Sequence, residues 1–245
     1  MNKFHLVILA LIGAGLIEAC SPRQFTTITI YDTPNAYVRL EFDRTVKQGT
    51  EHSHPISLRT EQIAAVLGGV RIEEPPALVR GDILLQDPVP RVHPAFTDKD
   101  IALFAPLLVQ ALSKATPEEV VTFYQSQHLS GGTSREVTSG GLFVQGDELH
   151  IILGNYRSST HYMADIGVAD TTDDRLTPMQ SLAPQRVTLQ FEPSEAWQQV
   201  QPNGGARLLY WDRRELIIRF KELKSRPLTY PASSSKRLDD IKQLG

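Results

Sequence analysis

The sequence predicts an α+β domain built on an antiparallel sheet of hairpins and meander, and three observations predict it. Apolar and polar residues alternate in runs at 26–30, 37–43, 142–145, 149–157, 187–192 and 215–221. That period of two is the signature of strands with one face toward a core and one toward water. Helical spacing is confined to residues 60–127, where two to three helices are expected. Strands therefore come in runs rather than alternating with helices, and no glycine-rich phosphate loop follows a strand. Both features argue against βαβ winding and a nucleotide-binding fold.

Taken in order, residues 26–30 place Ile28 and Ile30 on one face, and residues 37–43 place Val38, Leu40 and Phe42 inward. Asp32-Thr-Pro-Asn35 between them carries turn chemistry, so the two runs pair as a hairpin. Residues 47–54 read as a polar loop. Thr60 then caps a helix that has Ile63, Val66 and Leu67 on one face and stops at Gly68-Gly69; Glu61 suits its positive end. Ile83-Leu84-Leu85 reads as a short buried strand. Residues 97–115 give the clearest helix: Thr97 and Asp100 form a capping box, and Ile101, Phe104, Leu108 and Leu112 follow its spacing. Pro106 lies inside and predicts a kink or a split there. Thr116-Pro-Glu-Glu119 has the cap, proline and acid of another helix start, with Val120, Phe123 and Tyr124 as its apolar face.

From residue 134 the period returns to two. Gly146-Asp147 joins 142–145 to 149–157 as a hairpin. Residues 162–168 add a strand, and 170–184 form a polar loop. Val187, Leu189 and Phe191 alternate against Thr188, Gln190 and Glu192. Residues 207–211 and 215–221 enclose another hairpin turn, with Leu216, Ile218 and Phe220 on the buried face. A partial internal similarity links His54-Pro55 and His93-Pro94: each precedes an apolar plug, a capping threonine and a helix. Two copies fall short of a repeat architecture.

Chemistry-bearing residues are dispersed. His52-Ser-His54 on an extended backbone would put both rings on one face, with Glu51 or His93 to complete a metal edge. A loop histidine beside proline more often fixes a chain direction, and no metal or other cofactor is expected. Glu73-Glu74, Asp98 with Asp100, Glu118-Glu119 and Asp173-Asp174 could each supply two carboxylates for hydrolysis, but most suit helix first turns or loops. No nucleophile elbow stands out among the serines. Trp197, Tyr210 and Trp211 either pack in the sheet core or form an aromatic binding patch. The absence of a catalytic constellation favours a protein that is not an enzyme.

The N-terminal segment carries the one motif with an address. Lys3 precedes an apolar run over residues 6–17, whose twelve residues rise about 18 Å as helix, short of a hydrocarbon core of about 30 Å. The run ends in Ile17-Glu18-Ala19-Cys20, and Cys20 is the single cysteine among 245 residues. This resembles the signal peptide and lipobox of bacterial lipoproteins. The resemblance implies that residues 1–19 are removed and that Cys20 carries lipid. The resemblance covers the first twenty-odd residues; from composition, residues 20–25 read as a lipidated tether to a single domain at 26–230, followed by a loose tail at 231–245. Ser21 after the cysteine resembles lipoproteins sent to the outer membrane, which would place the domain facing the periplasm.

Composition agrees with an ordinary globular domain, 41% hydrophobic and 22% charged. A net charge of −3 gives no basic excess for nucleic acid. The expected partners are thus a membrane, through the lipid on Cys20, and an envelope protein. The resulting reading is a membrane-anchored scaffold or accessory protein; the alternative is a tethered hydrolase or metal-binding protein with a dispersed site.

Overall fold

The computed structural model describes residues 27–74, 90–129, 134–161, 175–183, 187–198 and 214–228. Within them lie strands β1 (Ile28–Thr33), β2 (Ala36–Phe42), β3 (Val70–Glu74), β4 (Arg91–Pro94), β5 (Glu119–His128), β6 (Ser134–Gln145), β7 (Glu148–His161), β8 (Thr188–Phe191), β9 (Trp197–Gln198) and β10 (Glu215–Arg219), and helices α1 (Thr60–Gly69) and α2 (Asp98–Leu112). A seven-stranded sheet runs in the order β1-β2-β5-β6-β7-β10-β9, and a three-stranded sheet in the order β4-β3-β8. Every pairing is antiparallel. No helix among these residues is long and apolar enough to cross a membrane.

The main core lies between the large sheet and the helices. Val38, Leu40, Val121, Phe123, Leu142, Val144, Leu149, Ile151, Leu216 and Ile218 supply the sheet side; Ile63, Leu67, Phe104, Leu108 and Leu112 supply the helix side. Each such aliphatic or aromatic side chain, fully removed from water, contributes about 1.5–3 kcal/mol. The opposite face of the sheet is not left wet. Tyr37 and Tyr124 stack at 5.2 Å over Val137, and Val120, Phe143 and Ile152 form a further buried cluster.

This second buried face explains the main departure from expectation. Residues 116–127 do not form a helix: Thr116–Glu119 is a turn, with the Glu119 N–H donating to the Thr116 carbonyl, and β5 follows. Val120, Phe123 and Tyr124 meet helical spacing only because a central strand covered on both sides is apolar throughout, so alternation vanishes. Its β-branched and aromatic content suits the pleat. Helices thus number two among the described residues.

Smaller corrections follow the same kind of cause. α2 runs unbroken through Pro106 and is not split. The capping box of Thr97 and Asp100 is present, whereas α1 is capped by Arg59 and not by Thr60, which is its first residue. Gly69 ends α1 at a close approach: a Cβ there would stand 2.5 Å from the Glu192 carbonyl oxygen and the Phe191 ring. The first hairpin turns at Pro34-Asn35, and β6 and β7 extend well beyond 142–157. Leu189, Phe191, Leu216, Ile218 and Phe220 are buried and Val187 is half-buried; Phe220 opens a short 3-10 turn rather than ending the strand. The expected elements at 83–85, 162–168 and 207–211, the N-terminal segment with Cys20 and the tail at 231–245 lie outside the described residues.

Candidate functional site

His52 and His54 lie in the loop after β2; residues 47–51 and Ser53 of that loop are exposed, but both histidines are buried. His54 is held by two backbone groups. Its Nδ1–H donates to the Glu119 carbonyl at 3.0 Å, and its Nε2 accepts the Val144 N–H at 3.1 Å. Only the neutral ring can do both. Burial, with repulsion from the neighbouring His52, pushes its pKa down to about 4. The same loop pairs with β6 through the Ser53 N–H and the Val144 carbonyl. His54 therefore works as a bracket at the β5–β6 end.

His52 stands 3.2 Å from the Asp43 carboxylate through Nε2 and stacks on Phe143 at 4.2 Å; His150 stacks on Phe143 at 4.5 Å and donates from Nδ1 to Glu215 at 2.8 Å. Burial pushes the Asp43 carboxyl up, but hydrogen bonds from His52 and from the Thr45 hydroxyl and N–H outweigh it and hold it at about 2. His52 Nδ1 and His150 Nε2 are buried without a hydrogen-bond partner among the described residues. Glu51 turns away to accept the Gly49 N–H. No three His, Cys, Asp or Glu side chains among the described residues come together as a metal site.

His93 is elsewhere, on β4. Its Nε2 meets Glu74 at 3.1 Å, and its Nδ1 meets the Tyr156 hydroxyl at 3.3 Å. This chain crosses from the small sheet to β7. Beside it opens a groove of about 100 Å³ lined by Pro94, Phe96, Thr97, Asp100, Gln125, Gln127, Glu136, Thr138 and Arg157. Burial raises the Tyr156 pKa, with Arg157 opposing and Glu74, Glu136 and Asp100 adding to the rise. Three carboxylates and one guanidinium thus act on a single hydroxyl.

The groove exists because the core-facing side of the sheet changes chemistry where only the first turn of α2 reaches it. Phe123 gives way to Gln125 and Gln127 on β5, and Leu142 and Gly140 to Thr138 and Glu136 on β6. Two irregularities in the β6–β7 ladder shape it. Val137 pairs with Ser158 and Ser139 with Asn155, so Tyr156 and Arg157 together oppose Thr138. Arg157 takes a left-handed backbone, φ 44°, and its N–H donates to the Thr138 hydroxyl at 3.3 Å. Bulges of this kind re-aim side chains, and here one brings Arg157 into the groove, when strict alternation would leave it beside the outward Asn155. One residue earlier, Gly154 is unpaired in the ladder, and a Cβ there would stand 2.6 Å from the Pro178 carbonyl oxygen. Residues 177–182 cross at this point, held by Ser139, by Asn155 and by Met179 packing against Gly141.

The acid pairs are mostly engaged. Glu73 accepts from Gln190, Asp98 pairs with Arg226, Asp100 caps α2 and accepts from Gln125, and Glu119 accepts the Thr116 N–H. Asp173 and Asp174 fall outside the described residues, as do Tyr210 and Trp211. Trp197 is half-buried against the core. Sequence reasoning missed Glu136, Thr138 and Arg157; the available signal was polar residues continuing on a face that alternation assigns to the core. Comparison with protein-family models, curated proteins and solved structures finds no match.

Proposed function

We propose that the chain is a bacterial envelope lipoprotein. Lipid on Cys20 would anchor it to a membrane, the outer membrane facing the periplasm, and its α+β domain acts there as an interaction or accessory protein. The observation that carries this reading is the apolar run at 6–17 ending in Ile17-Glu18-Ala19-Cys20, with no other cysteine in the chain. Two or more acyl chains give stable attachment where one gives only marginal binding, each buried CH₂ contributing about 0.8 kcal/mol. Six residues, 21–26, lie between Cys20 and the first described residue, seven Cα steps in all. Fully extended they span at most about 25 Å, which would keep β1, an edge strand of the large sheet, close to the bilayer. The dispersed-hydrolase or metal-binding alternative draws no support from His54, both of whose ring nitrogens serve the backbone.

Mass spectrometry of the N-terminal peptide from membranes tests the anchor. The expected species begins at Cys20 and carries acyl chains. Cys20→Ala should release the domain from membranes or leave an uncleaved precursor. An unmodified Cys20 still joined to Ala19 in the wild-type protein would overturn the anchor and the tethered role together.

A further inference from the structure

We infer that the groove between the α2 N-terminus and the extended ends of β5, β6 and β7 is a binding site for a small α-amino acid, its carboxylate on Arg157 and its ammonium on Glu136. This goes beyond the tethered-scaffold reading and does not rest on it.

Four observations carry the assignment. Glu136 is half-buried, and it has neither an ion-pair nor a hydrogen-bond partner among the described residues. Arg157 has no ion-pair partner among them either; its guanidinium lies 5.7 Å over the Tyr156 ring. One groove therefore offers one uncommitted carboxylate and one uncommitted guanidinium. A ligand carrying both charges answers each, whereas a plain anion or cation leaves one unanswered. Second, Arg157 is the single described non-glycine residue in the left-handed region. Such conformations persist where the surrounding structure holds them, and they cluster at binding sites. Here the bulge that carries φ 44° is also what sets Arg157, an exposed residue, on the lining of the groove. Third, the volume of about 100 Å³ lies well below the roughly 300–1,000 Å³ of sites for drug-sized ligands. It suits a molecule with a short side chain. Fourth, Gln127, Thr138 and Thr97 add uncharged donors and acceptors around the two charges.

Geometry favours recognition over catalysis. The guanidinium presents a planar fork to a carboxylate, and a charge-assisted pair with it is bidentate and directional. The carboxyl of Asp100 is already committed to the α2 cap and to Gln125, which leaves Glu136 to receive the ammonium.

The test is calorimetric titration of the purified full-length protein with L-alanine as the probe. Propionate, which lacks the ammonium, and ethylamine, which lacks the carboxylate, are the fragments. The expected result is saturable alanine binding with a Kd below about 1 mM. Each fragment should bind at least about tenfold more weakly, since a lost charge-assisted contact is of that size. Glu136→Gln and Arg157→Gly should each weaken alanine by a similar factor. Arg157→Gly suits the left-handed backbone, so its melting temperature should match or exceed the wild type and exclude unfolding as the cause. The assignment is overturned by propionate or ethylamine binding as tightly as alanine, by either variant binding normally, or by no saturable heat up to about 10 mM alanine, a concentration that bounds any useful affinity.

Discussion

His54 should make the domain lose stability as pH falls from 6.5 to 4, and the loss can be sized from its surroundings. The ring is 5% exposed, with one nitrogen donating to Glu119 and the other accepting from Val144. Protonation destroys the second interaction and buries a charge beside His52. The folded-state pKa is about 4, against about 6.5 in an unfolded chain. Above pH 6.5 the ring is neutral in both states and the bracket is at full strength. Below 6.5 the unfolded chain takes up a proton that the folded one refuses, so stability falls by up to 1.36 kcal/mol per pH unit until the folded ring protonates near pH 4. The total is about 3 kcal/mol, a large share of the stability of an ordinary domain. Equilibrium urea denaturation at half-unit pH steps measures it, with His54→Gln as the control because other groups also titrate. The wild-type curve should be steeper than the variant's between pH 6.5 and 4, and parallel to it above 7. Parallel curves throughout, or a variant that is the steeper of the two, would refute the neutral-bracket argument.

Other perturbations follow from the same contacts. Phe143→Ala removes the ring between His52 and His150 and should cost about 3–5 kcal/mol in urea melts; a cost below about 1 kcal/mol would mean the stack is not packed. Gly154→Ala puts a methyl 2.6 Å from the Pro178 carbonyl oxygen and should cost about 1–3 kcal/mol, with faster proteolysis at residues 177–182. The Asp43 carboxyl sits at about 2 in the fold, below its unfolded value of about 3.9, so the stability it lends is present above pH 4 and lost as pH falls toward 2. Acid unfolding of Asp43→Asn should lack that last fall, as followed by circular dichroism.

Much of the sheet was legible because the physics that writes strands into sequence is local. Val38, Leu40, Leu189, Phe191, Leu216 and Ile218 alternate with polar neighbours and are buried as alternation requires. Thr97 and Asp100 form the capping box their spacing announces. Legibility failed where tertiary context overrode the local pattern. β5 is covered on both faces, so its sequence lost the period of two and took on a helical look. His52 and His54 read as a polar loop because nothing local reveals that Phe143, Val144 and Glu119, more than sixty residues away, close over them. The groove was illegible for a third reason: Arg157 faces it only through a bulge, and a one-residue irregularity in a ladder leaves no mark in composition.

The two irregularities in β7 divide its roles within four residues. At Gly154 the strand gives up a side chain so that residues 177–182 can lie against the sheet. At Tyr156 and Arg157 it gains an inward residue, and the cost is a left-handed arginine of about 1–2 kcal/mol. Asn155 lies between them and serves the first role, donating to Ser139 and to the Gln180 carbonyl while accepting from Leu182 and Ser158. With its amide fully engaged and buried, Asn155 fixes the register on either side. A slip of one residue at this point would carry Tyr156 onto the face that Asn155 holds and take it out of the main core. The network around Asn155 thus holds the strain at Arg157 in place from outside the groove. Asn155→Ala would take the buried partner from the Gln180 carbonyl and the Leu182 N–H, a loss of about 1–3 kcal/mol for a first unsatisfied group. Its expected signature joins the two sites: residues 177–182 loosen, and hydrogen exchange at the Arg157 amide, which donates to Thr138, quickens with them. Faster exchange in the strap alone, with Arg157 still protected, would show that the bulge stands without the network.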